Sequence, residues 1–515
     1  MIKVKNTNED YSAIIDIGSN SMRLVIYQKE ITGRLYEVEN VKAVARLSNY
    51  LDHEHNLSPE GIDVLLNTLA HFSDVLAIYP YRQFICMATA TIRQAHNRHE
   101  LIKLVKQKFD WDMIILSEKE EAYYGYLAVV NSTSLTEGIS VDMGGGSTEV
   151  TYFKNRELVH SHSFPFGALT LKALYQDDLI EQENAQKVRQ FVKDQFESLP
   201  WLKDRHIPLI GIGGSARNMA QIDQNEKSYP MAGLHQYQMN VYDINQILNY
   251  LISMPLSKRE KVEGLSKDRA DIIIPAIETF KVLYETVKAD QFILSQKGLR
   301  DGINYSWLLA NHDTAYFPNV LEESLNEIVM RYNQNMNQIS HVHFLTRKIF
   351  NQLVAQQLKT LTQADWSYLS HAIYVFNLGQ YIDSESSAQH TFYLLANQTI
   401  DGLLNHEKLI IALIASYKDS VTFDQFVKPY KSWFTKHERK KYRLLGSLLK
   451  LTYALDATKR QVIQNVDIQM KQKQIKLIVY YKKNPSAESY QAEKQKKHFE
   501  KAINKKVVLQ FNQLN

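Results

Sequence analysis

The sequence predicts a mixed α/β chain with two similar α/β domains flanking a cleft, then a helical domain and a small α/β domain at the end. Three observations carry that prediction. Two segments, Ile14-Ile15-Asp16-Ile17-Gly18-Ser19-Asn20-Ser21 and Ser140-Val141-Asp142-Met143-Gly144-Gly145-Gly146-Ser147-Thr148, share one pattern. In each, an apolar strand delivers an aspartate into a turn of Gly and Ser, Asn or Thr, and a second apolar strand follows (Leu24–Tyr27 and Val150–Phe153). Each segment also leads a run of strand-like stretches that alternate with helical ones, a rough internal duplication. After residue 310 the strand signal fades and long helical periodicity takes over. Limits of 1–130, 131–310, 311–462 and 463–515 follow for the four domains.

In order along the chain, residues 13–18, 22–28 and 35–46 are Val- and Ile-rich strands punctuated by Gly and Asn. Ser58-Pro59-Glu60 is an N-cap with proline in the first turn, and Ile62, Leu65, Leu66, Leu69 and Phe72 keep a helical spacing behind it. Strand 82–88, helix 92–107, strand 112–116 and helix 118–130 complete the first unit as βββαβαβα. The second opens in the same way, with strands 138–143, 147–153 and 156–163. Helices 168–174 and 180–197, strand 208–212 and a helix from Ser215 come next. Helices 242–253 and 268–288, strand 291–294 and helix 299–309 close that unit. Beyond it, helices are expected at 319–338, 343–359, 366–381 and 402–416. The tail reads as strand 476–481, helix 487–502 and strand 506–511.

A chain of 515 residues with 44% hydrophobic content can build several packed cores. Its single cysteine, Cys86, lies in an apolar run and reads as a buried thiol, which excludes disulfides and cysteine metal sites. The first residues lack a signal-peptide pattern and no eighteen consecutive apolar residues occur, so a soluble, cytoplasmic protein with no membrane contact is expected. The net charge of +4 hides an asymmetry: residues 1–310 hold 33 Lys and Arg against 39 Asp and Glu, the remainder 27 against 17. The basic excess, in clusters such as Lys436–Lys441 and Lys494–Lys497, suits attraction of a polyanion or a solvated face.

The chemistry starts at the two hairpin turns. Successive N–H groups in a Gly-rich turn make a concavity for anions, and a carboxylate beside it can hold a hard cation. Ser19, Asn20 and Ser21 in one turn, and Gly144, Gly145, Gly146, Ser147 and Thr148 in the other, are therefore candidate phosphate ligands, with Asp16 and Asp142 as candidate metal ligands. An aspartate that only satisfies its local turn is the alternative for either position taken alone. In Leu116-Ser117-Glu118-Lys119-Glu120-Glu121-Ala122, Ser117 and Glu120 form a capping box and Glu118 suits the helix dipole. Glu121 is left for a general base or a solvated acid. Arg93, at a strand-to-helix turn, fits a bidentate phosphate contact or an ion pair. Gly211-Ile212-Gly213-Gly214-Ser215-Ala216-Arg217 is a third glycine-rich turn, where Gly213, Gly214 and Ser215 could hold a further phosphate. The His160/His162 and His341/His343 pairs show no carboxylate pattern for a metal site.

These pieces together resemble the Ppx/GppA family of exopolyphosphatases and guanosine-pentaphosphate phosphatases, within the actin/Hsp70/sugar-kinase superfamily. The resemblance rests on Asp16–Ser21, Thr91-Ile92-Arg93-Gln94-Ala95, the Glu-Glu-Ala triplet ending at Ala122, Val141–Glu149, Gly167, Arg269-Ala270-Asp271 and Gly298–Gly302. It implies two ribonuclease-H-like (actin-like ATPase) domains, Glu121 as catalytic base, and Arg93, Asp142, Gly144, Gly145, Ser147 and Glu149 around a phosphate and metal site. It also implies an HD-phosphohydrolase-like helical domain, in which Phe376 and Asn377 stand where a metal pair is expected, so that site reads as degenerate. The activity expected is Mg²⁺- or Mn²⁺-dependent release of orthophosphate from inorganic polyphosphate, with K⁺ a further candidate ion and a homodimer the expected assembly. Guanosine pentaphosphate is the alternative substrate. An ATP-using kinase-like enzyme or a catalytically silent phosphate sensor stand further off, and no specific nucleic-acid partner is expected.

Overall fold

A computed structural model describes residues 11–29, 35–175, 181–356, 358 and 361–514. Two compact units divide the chain: one runs to Val320 without residues 230–233, the other comprises 230–233 and everything from Leu321.

The first unit contains two sheets of like design. Strands β1 (Tyr11–Ile17), β2 (Met22–Lys29), β3 (Leu35–Ala43), β4 (Tyr81–Ala88) and β5 (Met113–Ile115) form a sheet of order β3-β2-β1-β4-β5. Strands β6 (Glu137–Met143), β7 (Thr148–Lys154), β8 (Glu157–Phe164), β9 (Leu209–Ile212), β10 (Gln238–Met239) and β11 (Phe292–Leu294) form the other, ordered β10-β11-β9-β6-β7-β8. Leaving out the edge strand β10, the two orders coincide. In both, the first three strands are antiparallel neighbours and the next two join in parallel. That repeated pattern is the pair of like α/β domains expected from the tandem hairpins, and it agrees with the ribonuclease-H-like design that the resemblance implies.

Apolar residues on both faces of β1 (Ile14, Ile15 and Ile17, all essentially inaccessible) explain why it sits centrally between β2 and β4. One face packs on the helix Pro59–Leu76, through Leu65, Leu69 and Phe72. Ser58 caps that helix by accepting from Gly61 N, and Pro59 fills its first position. Cys86 is buried as expected, and burial pushes its thiol up to about 12.

Several expectations need correction. The stretch at 35–46 stops being strand at Ala43, because a short 3-10 turn, Leu47–Tyr50, follows with Arg46 left-handed before it. Helix 92–107 is two helices, Ala90–Gln94 and Arg98–Phe109. Between them, Asn97 spends its side chain on the Leu57 backbone, accepting from its N and donating to its O. The helix expected from 268 is a 3-10 turn, Lys267–Arg269, followed by Ile273–Val287. Residues 311–320 stay with the first compact unit, where Asn131 accepts from Phe317 N and donates to Ala315 O.

The second unit is mainly helical. Helix Asn405–Ala415 is buried along most of its length, packed against Asp365–Tyr374, Ser387–Asn397 and Lys436–Ala454. Residues 463–514 belong to this compact unit. Strand β12 (Ile463–Met470), unexpected from sequence, joins β13 (Gln474–Tyr481) and β14 (Lys506–Gln513) in a three-stranded sheet. Gln352 stitches β12 to the helix Met336–Ala355, donating to Val466 O and accepting from Ile468 N. No helix among the described residues is long and apolar enough to cross a membrane.

Candidate active site

The two hairpin turns have matching backbones. In each a four-residue loop closes with one hydrogen bond, Gly18 N to Ser21 O (3.1 Å) and Gly144 N to Ser147 O (3.0 Å). They also touch. A methyl group placed on Gly145 would stand 3.1 Å from Ser19 Cβ, and one on Gly146 would stand 3.1 Å from Ser19 Oγ, so any side chain here would crowd the first turn. Behind the second turn, Ala168 N donates to Gly144 O and Leu169 N to Gly145 O (2.9 and 3.0 Å). With those carbonyls turned away toward the helix Ala168–Lys172, the N–H groups of Gly145 and Gly146 are left for an anion.

Between the two sheets lies a cavity of about 350 Å³. Asp16, Ser19, Asn20 and Ser21 reach it from one hairpin, and Asp142, the three glycines, Ser147 and Glu149 from the other. Gly213 and Gly214 reach it from the third turn, and Glu121 from the start of the helix Glu118–Val130. The expected capping box is formed: Ser117 Oγ accepts from Glu120 N, while Glu120 Oε2 accepts from Ser117 N at 2.8 Å. With Glu120 occupied in that way, Glu121 is the carboxylate that faces the cavity. Asn20 is 5% exposed, and among the described residues neither its side-chain oxygen nor its nitrogen has a partner, which suits a group awaiting a ligand.

Three expected ligands lie elsewhere. Arg93 is off the cavity wall; its Nη1 donates to Glu121 Oε2 (2.9 Å) and to Leu116 O (2.8 Å). There it forms the ion pair with Glu121 that was the alternative reading of its turn. Thr148 is fully buried and donates to Phe166 O at 2.7 Å. Side chains alternate along a strand, so Ser147 facing the cavity turns Thr148 into the core. Ser215 is also fully buried, and Arg269 Nη1 donates to its hydroxyl at 3.3 Å.

Four arginines that the sequence left without a role, Arg23, Arg217, Arg269 and Arg300, line the same cavity, together with Lys42. They come from four separate elements. Arg300 Nη1 stands 3.8 Å from Asp16 Oδ2. Arg23 is directly across from Asp16 on β1/β2, the position that Glu149 holds across from Asp142 on β6/β7.

The electrostatics follow from this crowding. Burial pushes Glu121 up to about 7; Arg93 opposes the rise, and Asp142 and Asp16 add to it. Asp142 rises to about 6 by burial and by the charge of Asp16, against Arg300, Arg269 and Arg217. Glu149 is raised well above the usual carboxylate range by burial, Glu121 and Asp142, although Ser147 and Ser163 hydrogen-bond it. Asp16 is raised as well, burial outweighing Arg300 and Arg23. Among the described residues no group of three acidic, His or Cys side chains is close enough to chelate a metal unaided. Yet Asp142 and Glu149 directly opposite each other form a like-charged pair that a sheet tolerates poorly. A cation completed by phosphate oxygens and water fits that pair.

A paired-turn cradle with a basic wall and one buried glutamate suits a phosphate-bearing substrate. Comparison with known proteins gives the family. Residues 25–311 match the Ppx/GppA phosphatase family and residues 320–499 match domain III of Ppx/GppA phosphatases. The chain belongs to the Ppx/GppA phosphatase family. A guanosine-5'-triphosphate,3'-diphosphate pyrophosphatase of Aeromonas hydrophila is 24% identical over 432 residues, covering 82% of this chain and 83% of that one. The crystal structure of the Aquifex aeolicus family member matches with a TM-score of 0.52 at 25% identity, covering 59% of this chain and all of that one. An exopolyphosphatase from Cytophaga hutchinsonii matches with a TM-score of 0.53 at 21% identity, over 60% of this chain and 100% of its own.

Proposed function

We propose that this phosphatase is an exopolyphosphatase, releasing orthophosphate from the end of inorganic polyphosphate. One observation carries the choice of substrate. Among the described residues the cavity wall bears four arginines and a lysine but no aromatic side chain on which a nucleobase could stack. The terminal phosphoryl group would sit between the turns, on the N–H groups of Gly145 and Gly146 and beside Ser19, Asn20 and Ser21. Glu121 would take a proton from the attacking water, a role suited to a carboxyl held near neutrality. A Mg²⁺ or Mn²⁺ ion held by Asp142 and Glu149, with Asp16 opposite, would neutralise charge on the phosphoryl oxygens. The arginines would hold the following phosphates, by charge and by bidentate contacts.

A second reading has support in the name of the Aeromonas hydrophila relative, which points to guanosine pentaphosphate as substrate. Phosphate release from long-chain polyphosphate, guanosine pentaphosphate and ATP, compared side by side with and without Mg²⁺, separates the two. Polyphosphate is expected to give the largest kcat/KM; a larger value for the pentaphosphate overturns the assignment. In the same assay Glu121→Gln should keep substrate binding and lose roughly 10²-fold or more in turnover.

A further inference from the structure

Arg46 lies off the cavity wall, yet it joins two of the parts that form that wall. Its backbone is left-handed, with φ 45° and ψ 46°, a conformation that residues with a Cβ adopt at a cost. Held in that way, its N–H donates to Asn20 O at 3.0 Å, and Ser48 N donates to Ser19 O at 3.4 Å. The first hairpin turn, which carries three candidate phosphate ligands, is thus fastened from behind by the backbone around Arg46.

The Arg46 side chain runs to the lobe built on the second sheet. Nη2 donates to Asp268 O (3.0 Å) and to Asp271 Oδ1 (3.3 Å), and Nη1 donates to Asp271 Oδ2 (3.5 Å), a bidentate grip on that carboxylate. Lys42 adds a second tie, its Nζ 2.9 Å from Asp268 Oδ2. Between the two gripped aspartates in the chain stands Arg269, which lines the cavity. Its guanidinium lies on the third glycine-rich turn: it donates to Ser215 Oγ, and a methyl group on Gly214 would collide with it. Ion pairs as accessible as Arg46 and Asp271, at 33% and 25%, add little to stability. Their effect on geometry is larger. They tie the turn that bears Arg269 to the backbone that bears Ser19 and Asn20, so these groups keep one spacing in the cavity.

We propose that Arg46 is a positioning residue for phosphoanhydride hydrolysis, a role that rests on the reading of the cavity as the phosphate site. Through Asp271 and the Asp268 carbonyl it holds Arg269 at the distance from the first turn that a chain of phosphates requires. The role is the same whether polyphosphate or guanosine pentaphosphate is the substrate.

The test is a double-mutant cycle in the full chain, read by calorimetric binding of inorganic tripolyphosphate in a Glu121→Gln background. Arg46→Asn removes the charge but keeps a residue that tolerates the left-handed backbone, so its thermal midpoint should stay near that of the parent. Its Kd should rise roughly 10-fold, and Asp271→Asn should match it. Arg46→Lys should recover most of the loss. With Arg269→Met already present, Arg46→Asn should add little, because the group it positions is gone. A loss of full size in the Arg269→Met background overturns the proposal, as does an unchanged Kd in Arg46→Asn alone. Tripolyphosphate that fails to bind even the parent overturns the reading of the cavity too, whereas intact binding without polyphosphate hydrolysis by the Glu121 enzyme counts against the proposed substrate alone.

Discussion

Arg93 Nη1 lies 2.9 Å from Glu121 Oε2, and the same nitrogen also donates to the carbonyl of Leu116. One guanidinium thus anchors Glu121 to the strand end before its own helix and favours the ionised carboxylate against the pull of burial.

That pairing predicts the pH dependence of the reaction. A base must be deprotonated to act, so kcat/KM should rise with pH through a limb near 7, where burial sets Glu121. Arg93→Met removes the charge and hydrogen bond that lower it, so the limb should move to higher pH. At neutral pH kcat/KM should fall by roughly 10–100-fold, with much of the loss recovered in alkaline buffer. A pH–rate profile for both proteins checks this; an unmoved limb would separate Arg93 from the protonation of Glu121.

A stability effect with the opposite pH sense follows from Asp142. Its carboxyl titrates near 6 in the fold, above its ordinary 3.8. The metal-free folded chain therefore holds a proton that the unfolded chain has already released. Stability from this group is present below about pH 4 and is lost as pH rises through about 6. The thermal midpoint of metal-free protein should fall across that window. Mg²⁺ or Mn²⁺ should restore more of it at pH 7 than at pH 5, and Asp142→Asn should flatten both responses while raising the metal concentration needed for activity.

Gly213 offers a backbone test. Its φ of +85° is in the left-handed region, and an added methyl group would stand 2.6 Å from Asp142 Oδ1. Gly213→Ala should cost about 1–3 kcal/mol in stability from the strained dihedral. By pushing the Asp142 carboxylate aside it should also weaken metal activation. Thermal unfolding together with an Mg²⁺ titration of activity measures the two effects separately.

The basic wall predicts how substrate binding responds to salt. Arg217→Gln and Arg300→Gln should raise KM with little change in kcat, and should reduce the slope of log KM against log salt by about 0.7–0.9 per lost contact, taking nucleic acids as the guide. Neutralising Lys436, Arg439 and Lys440 should weaken long polymers more than short ones; equal loss at every length would remove that cluster from polymer binding.

The paired hairpins could be read from the sequence because their information is local: an aspartate, a glycine-rich turn and two flanking apolar strands lie within a dozen residues. The capping box at Ser117 could be read for the same reason, and with it the freedom of Glu121. The arginine wall could not. Arg23, Arg217, Arg269 and Arg300 are scattered over almost 280 residues, and only the sheet order brings them to one cavity. Thr148 and Ser215 were misread because composition marks a turn as phosphate-binding without saying which hydroxyls face inward. Strand alternation counted from Ser147 held the correction for Thr148. The break between Gln94 and Arg98 depends on what Asn97 grips at Leu57, forty residues away, which helical periodicity does not register.

The two turns close with the same hydrogen bond yet carry Arg23 on one side and Glu149 on the other. A cradle with equal halves would accept a symmetric anhydride in either of two poses. Under the proposed reaction, opposite charges at matching positions would favour one pose, and the scissile bond would meet a water activated by Glu121 on a single face. The enzyme owes its sense of direction to the place where its duplicated halves stopped being copies.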